Sequence, residues 1–170
     1  LFLMSVVIKW INSCSGPTET IGLRTPAGIL NISIQQEVIV NASWDFANTL
    51  DREVCDGQKQ YEWLFSSTDN VFNIKLLQQG SAFRHKVWTE LCIIPFGETM
   101  SYSELSHKIG SSARAVGNAC RDNPYPLIIP CHRVVSVSGM GGYCGQTSGN
   151  FMTIKHKLLA FEAELNNVIY

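Results

Sequence analysis

Near Ser81 the spacing of apolar side chains changes from about two residues to about 3.6, and no other feature constrains the fold of this 170-residue chain as strongly. A period of two belongs to a strand with one buried face, and a period of 3.6 to a helix with one buried stripe. Before the change, Leu30, Ile32 and Ile34 alternate with Asn31 and Ser33, and Thr25-Pro26-Ala27-Gly28 supplies turn chemistry, so Thr20 to Trp44 reads as strand, turn, strand, strand. Leu1 to Trp10 reads as a first strand, Tyr61 to Phe65 as part of a helix, and Ser66 to Gly80 as a polar connection. After the change, Phe83, Val87, Trp88, Leu91 and Ile94 share one face of a helix that Ser81 can cap and Pro95-Phe96-Gly97 ends.

Ser101-Tyr102-Ser103-Glu104 has the spacing of a capping box and predicts a second helix running to about Gly110. A third follows from about Ala113 to Arg121 and is stopped by Asp122-Asn123-Pro124, because the residue before proline is pushed out of the helical region. Two short helices around a glycine-containing turn make a helix-turn-helix pattern, although plain scaffold hairpins share it. The third helix carries Ser112, Ala113, Ala115, Gly117 and Ala119 and one long cation near its start, Arg114. Such small side chains suit a backbone that approaches another surface closely, a shallow nucleic-acid groove among them.

Charge supports that placement only weakly. Residues 1–80 carry five basic and eight acidic side chains, residues 81–140 six and four, and residues 141–170 two and two. Any nucleic acid would therefore meet the middle of the chain. No apolar run approaches the roughly 20 residues of a membrane span, so no membrane partner is expected and an intracellular location is, whether cytoplasm, nucleoid or nucleus. Six cysteines without a Cys-x-x-Cys pair or matching histidine spacing suggest neither a zinc knuckle nor a disulfide framework. No metal or other cofactor is expected, and His85 reads as a surface histidine.

One cysteine stands apart. Pro124-Tyr125-Pro126-Leu127-Ile128-Ile129-Pro130 is an apolar approach, stiffened by prolines, that delivers Cys131-His132-Arg133 and then a β-type run. A lone cysteine is usually a small buried hydrophobe, but a neighbouring histidine and arginine can both favour the nucleophilic thiolate.

The segment IPCHRVV, preceded by SYSEL and SSARAVGNACRDNP and followed by LLAFE, resembles the O6-alkylguanine-DNA alkyltransferase family over about residues 81–164. The resemblance implies an α+β fold: a small N-terminal antiparallel sheet lobe over 1–80, with its connecting helix or linker, then a helical lobe over 81–170 with a helix-turn-helix and an active-site loop. It implies direct reversal of DNA damage by irreversible, stoichiometric transfer of a methyl or other alkyl group from O6 of guanine to Cys131, and leaves open whether O4-alkylthymine is also a substrate. By the same resemblance His132 is the base that deprotonates Cys131 through a water, Glu162 orients that histidine, and Asn123 is the hinge asparagine. Arg114 fills the gap in the base stack, and Tyr102 crowds the phosphate and contacts guanine. Val134 and Tyr143 line the base pocket, and Cys144 and Gly145 offer backbone N–H groups to the leaving base. Ser112, Ala113, Gly117, Arg121 and Arg133 fall on the DNA side. The implied partner is double-stranded DNA containing O6-alkylguanine, with no obligate protein partner.

Two departures bear on the pocket: Gly145-Gln146-Thr147-Ser148-Gly149-Asn150 is longer than the family pattern, and Cys144 stands where a serine or a large residue is more familiar. Three other readings compete. A damage-flagging binding module of the alkyltransferase-like kind would lack the cysteine. A transcription regulator would need neither His132 nor Glu162, and a cysteine hydrolase would turn over repeatedly.

Overall fold

The computed structural model describes residues 6–47, 54–55 and 72–168. The chain divides into two compact units, Leu1–Gln79 and Gly80–Tyr170.

In the first unit the alternating pattern becomes a six-stranded sheet. Its centre is an antiparallel meander of β2 (Glu19–Thr25), β3 (Gly28–Gln35) and β4 (Val38–Asp45). β1 (Val6–Ile11), β5 (Val54–Cys55) and β6 (Phe72–Leu77) extend it by parallel pairing, in the order β1-β6-β4-β3-β2-β5. The first hairpin turn is held by Thr25, whose Oγ1 accepts from the Ala27 and Gly28 amides at 3.0 and 3.1 Å. The second closes over Gln36 and Glu37, both left-handed (φ 46° and 67°), which is the backbone a two-residue type I′ hairpin requires. Leu23, Leu30, Ile32 and Leu76 are almost fully buried.

Residues 72–77, read from sequence as part of a polar connection, are instead strand β6 between β1 and β4. Ile74 and Leu76 are buried while Asn73 and Lys75 are exposed, so the period-two signal is present. It is short and runs into Gln78-Gln79, which masked it. The helix expected at Tyr61–Phe65 lies outside the described residues.

The second unit is helical: α1 (Ala82–Leu91), α2 (Tyr102–Ile109), α3 (Ala113–Arg121) and α4 (Asn150–Val168). Ser81 caps α1, accepting from the Arg84 amide, and the helix buries Val87, Trp88 and Leu91. Phe83, expected on that stripe, is exposed, and Ile94 is buried from the turn after the helix. Trp88 joins α1 to α3, because its buried indole Nε1 donates to Ala119 O at 2.9 Å; truncating such a side chain costs about 3–5 kcal/mol. Ser101 and Glu104 form the reciprocal capping box of α2, and Gly110 ends that helix at φ 69°, where a glycine avoids the left-handed penalty. A short parallel pair, β7 (Met100–Ser101) with β8 (Val134–Val135), ties the start of α2 to the chain just past Cys131. Among the described residues no helix is long and apolar enough to cross a membrane.

Candidate active site

Asn123 begins the construction. It leaves α3 with its Oδ1 accepting from the Tyr125 amide (2.9 Å), while its Nδ2 donates to Ile129 O (2.9 Å) and to Cys131 Sγ (3.2 Å). One side chain therefore fixes the end of α3, the proline-rich approach and the sulfur. Cys131-His132-Arg133 form a single 3-10 turn, in which Cys131 and His132 are buried.

The fully buried His132 directs Nε2 at Glu162 Oε1, 2.7 Å away. Burial raises the Glu162 carboxyl, but hydrogen bonds and charge from His132 and Arg133 outweigh it and bring the group down to about 2. An ionised carboxylate can only accept, so Nε2 carries the proton and Nδ1 the lone pair. Burial also holds His132 below its ordinary value, which keeps the ring neutral. Nδ1 is buried and takes no hydrogen bond from the described residues. The arrangement is that of a neutral imidazole oriented by a carboxylate with one basic nitrogen free.

Cys131 is raised by burial and lowered by the Asn123 hydrogen bond and by the charge of Lys155. The net direction is upward, so the resting group is a thiol. Arg133, expected to favour the thiolate and to face DNA, has its guanidinium committed elsewhere. Its guanidinium is held by Glu162 (Nε–Oε2 and Nη2–Oε1, both 2.9 Å) and Ile94 O (2.9 Å), and stacks 5.5 Å from the centre of the Phe96 ring. A bidentate arginine–carboxylate pair spends both charges on each other.

Cys131 lines a cavity of about 470 Å³. Tyr102 from α2 and Ala113, Gly117, Cys120 and Arg121 from one face of α3 form part of its wall, and Tyr143, Cys144 and Gly145 form another. Tyr143–Gln146 is a tight turn closed by two backbone hydrogen bonds (2.8 and 3.0 Å). Cys144 (φ 49°) and Gly145 (φ 80°) are both left-handed there, and a Cβ on Gly145 would lie 3.0 Å from Arg121 Cγ. The Tyr102 hydroxyl donates to Gly142 O at 3.3 Å. Val134, expected to line the pocket, is fully buried and is not part of this wall. Ser112 caps α3 through the Ala115 amide, Arg114 is exposed in the first turn, and the exposed Arg121 contacts Asp122 at 3.2 Å.

Two residues of the site were not anticipated. Cys120 lines the cavity, seven residues after Ala113 and therefore on the same helical face. Lys155 is fully buried under the wall, and its signal was a lysine seven residues before Glu162 in the buried stripe of α4. His85 is half-buried with its ring edge against Trp88 at 5.3 Å, and among the described residues no cluster of three or more His, Cys, Asp or Glu could hold a metal.

Residues 82–164 match the family model described as the DNA-binding domain of 6-O-methylguanine DNA methyltransferase. A methylated-DNA–protein-cysteine methyltransferase of Metallosphaera sedula is 32% identical over 152 residues, covering 85% of this chain and 92% of the relative. A mimivirus protein named a probable enzyme of the same kind is 42% identical over 85 residues, and the chain spans 57% of its length. Among solved structures, the Mycobacterium tuberculosis O6-methylguanine methyltransferase superposes with a TM-score of 0.68 at 30% identity, covering 87% of this chain and 94% of that one. The M. tuberculosis protein in complex with DNA superposes at 0.66 with 32% identity, over 85% and 92% of the two chains.

Proposed function

Because this chain belongs to the methylated-DNA–protein-cysteine methyltransferase family, we propose that it repairs DNA by moving an alkyl group from O6 of guanine to Cys131, once per molecule. The observation that carries this is the Asn123–Cys131 and His132–Glu162 pair of contacts beside a cysteine that lines a cavity walled in part by Ala113, Gly117, Cys120 and Arg121 of α3. Duplex DNA as the partner is supported by the DNA complex of the M. tuberculosis relative.

The chemistry follows from the atoms present. A base inside a duplex hides its O6 substituent, so the nucleotide must be extruded at a cost of a few kcal/mol. Arg114, exposed at the start of α3, occupies the vacated space. His132 Nδ1 takes the Cys131 proton through one water, and the sulfur attacks the alkyl carbon as the carbon–O6 bond breaks. The electron pair goes to guanine, which the Tyr102 hydroxyl and the amides around Cys144 and Gly145 stabilise. The thioether that forms is not hydrolysed, which explains single use and sets this set of groups apart from a hydrolase, whose thioester is.

Intact-mass spectrometry after incubation with a duplex containing one O6-methylguanine should show one added methyl per protein, on the Cys131 peptide, and then no further product. Continued product release, or methyl on Cys120 or Cys144, would overturn the reading.

A further inference from the structure

Lys155 is fully buried, and its ammonium donates to Val134 O (2.6 Å), Met140 O (2.7 Å) and Gly142 O (2.9 Å). Three N–H donors thus meet three carbonyls. Burying a cation is costly; here the three carbonyls satisfy it, and an apolar side chain in its place would deprive them of its donors. The carbonyls it gathers span residues 134–142, which begin three residues after Cys131 and include the cavity-lining Ser136 and Val137. Gly142 O, the last of them, also accepts from Tyr102, and the tight turn at Tyr143–Gln146 follows directly.

The usual sources of positive charge near the sulfur are otherwise spent. Arg133 is paired with Glu162, and His132 is neutral. We propose that Lys155 is a positioning residue of the alkyl transfer, an inference that rests on the function proposed above. Its ammonium holds in place the segment 134–142, which carries the cavity-lining Ser136, Val137 and Gly142, and is the positive charge that acts on the sulfur as it becomes anionic.

Burial lowers Lys155 to about 8, against the upward pull that negative charge on Cys131, Cys120 or Cys144 exerts. Its charge in turn lowers all three thiols and His132. On losing its proton the amine keeps two N–H donors for three carbonyls, and the sulfur loses its countercharge.

The test compares wild type with Lys155→Met and Lys155→Arg. Three quantities are measured: the single-turnover methyl-transfer rate on saturating duplex, the Kd for that duplex, and the pH midpoint of Cys131 alkylation by iodoacetamide. Lys155→Met should transfer roughly 10²-fold more slowly, the scale expected for a misplaced reacting group, with Kd little changed and the midpoint moved to higher pH. Lys155→Arg should recover part of the rate and most of the midpoint. A Lys155→Met protein with native near-UV circular dichroism and wild-type rate and midpoint would overturn the proposal. Equal slowing in both variants with an unmoved midpoint would overturn it too, leaving the lysine a purely structural part. Should Lys155→Met fail to fold, the wild-type rate profile decides: transfer should decline above about pH 8, and a steady rise through that region would overturn the role. A wild-type protein that leaves Cys131 unmethylated sinks the proposed function and this inference together. A methylating wild type with an indifferent Lys155→Met sinks the inference alone.

Discussion

The Cys131–Glu162 cluster is buried and dense with hydrogen bonds, whereas the cavity-facing side of α3 carries Ala113, Gly117, Cys120 and Arg121 and its first turn is exposed. In the cluster each group is held by at least one other: Asn123 by Tyr125 and Ile129, His132 by Glu162, Glu162 by Arg133, and Arg133 by Ile94. On α3 the side chains are mostly small, and Arg114 is exposed in the first turn. Under the proposed function, the difference separates chemistry from recognition. A nucleophile and its base must be placed to within a fraction of an ångström before reaction, which takes a rigid, satisfied surround. A helix that meets a deformable duplex needs closeness and charge, and its cations contribute one at a time.

Substitutions should divide along the same line. The largest effect belongs to Cys131: Cys131→Ser should abolish methyl transfer in a mass-spectrometric assay, while Cys120→Ser and Cys144→Ser, altered in the cavity wall alone, should still accept one methyl. Loss of transfer in all three would erase the distinction between nucleophile and wall. Next, His132→Ala should slow single-turnover transfer by roughly 10²–10⁴-fold and leave duplex affinity nearly intact. A parallel collapse of DNA binding would show that the buried cluster also builds the recognition surface.

Arg114→Ala tests the other side. Its transfer rate on duplex should fall by roughly ten- to a thousandfold, the scale of a few kcal/mol of extrusion, while reaction with free O6-benzylguanine is largely kept. Equal losses on both substrates would move Arg114 into the pocket or the fold. Its affinity for undamaged DNA should fall as well, with a shallower salt dependence.

The smallest effect concerns stability in acid. The folded-state value of Glu162 lies near 2, below its ordinary 4.5, so its ionised form stabilises the protein above that ordinary value. That contribution is lost as the pH falls from the ordinary value toward about 2. Thermal unfolding followed across this range should show a steeper acid limb in wild type than in Glu162→Gln. Asp122 is also held low, by Arg84, but near the surface, so Asp122→Asn should change the limb far less. Identical limbs in wild type and Glu162→Gln would mean that the buried pair carries no linkage.

Much of this was legible in the residues. Helix α3 runs from Ala113 to Arg121 as the stop at Asn123-Pro124 requires, and the Ser101/Glu104 capping box lies where its spacing put it. Such features are local: a cap, a proline and a glycine act within one turn of chain, so their consequences can be read without knowing what packs against them. The Cys131-His132 pair was legible for a related reason, since adjacent residues stay adjacent in any fold. The resemblance to the family was carried by the segments IPCHRVV, SYSEL, SSARAVGNACRDNP and LLAFE, and the comparison with the Metallosphaera sedula relative shows membership.

What the sequence alone left open was partnership at a distance. Strand β6 pairs in parallel with β1, Val6 opposite Phe72, and no local signal encodes a partner so far along the chain. Arg133 sits beside Cys131 in sequence, yet its charge goes to Glu162, 29 residues away. Lys155 looked like any helical lysine until α4 packed it beneath the carbonyls of Val134, Met140 and Gly142. Local propensity decides what a segment becomes. Which charge meets which sulfur or carboxylate is decided by tertiary packing, because electrostatic and hydrogen-bond partners are chosen by distance in space, and only the folded chain sets that distance.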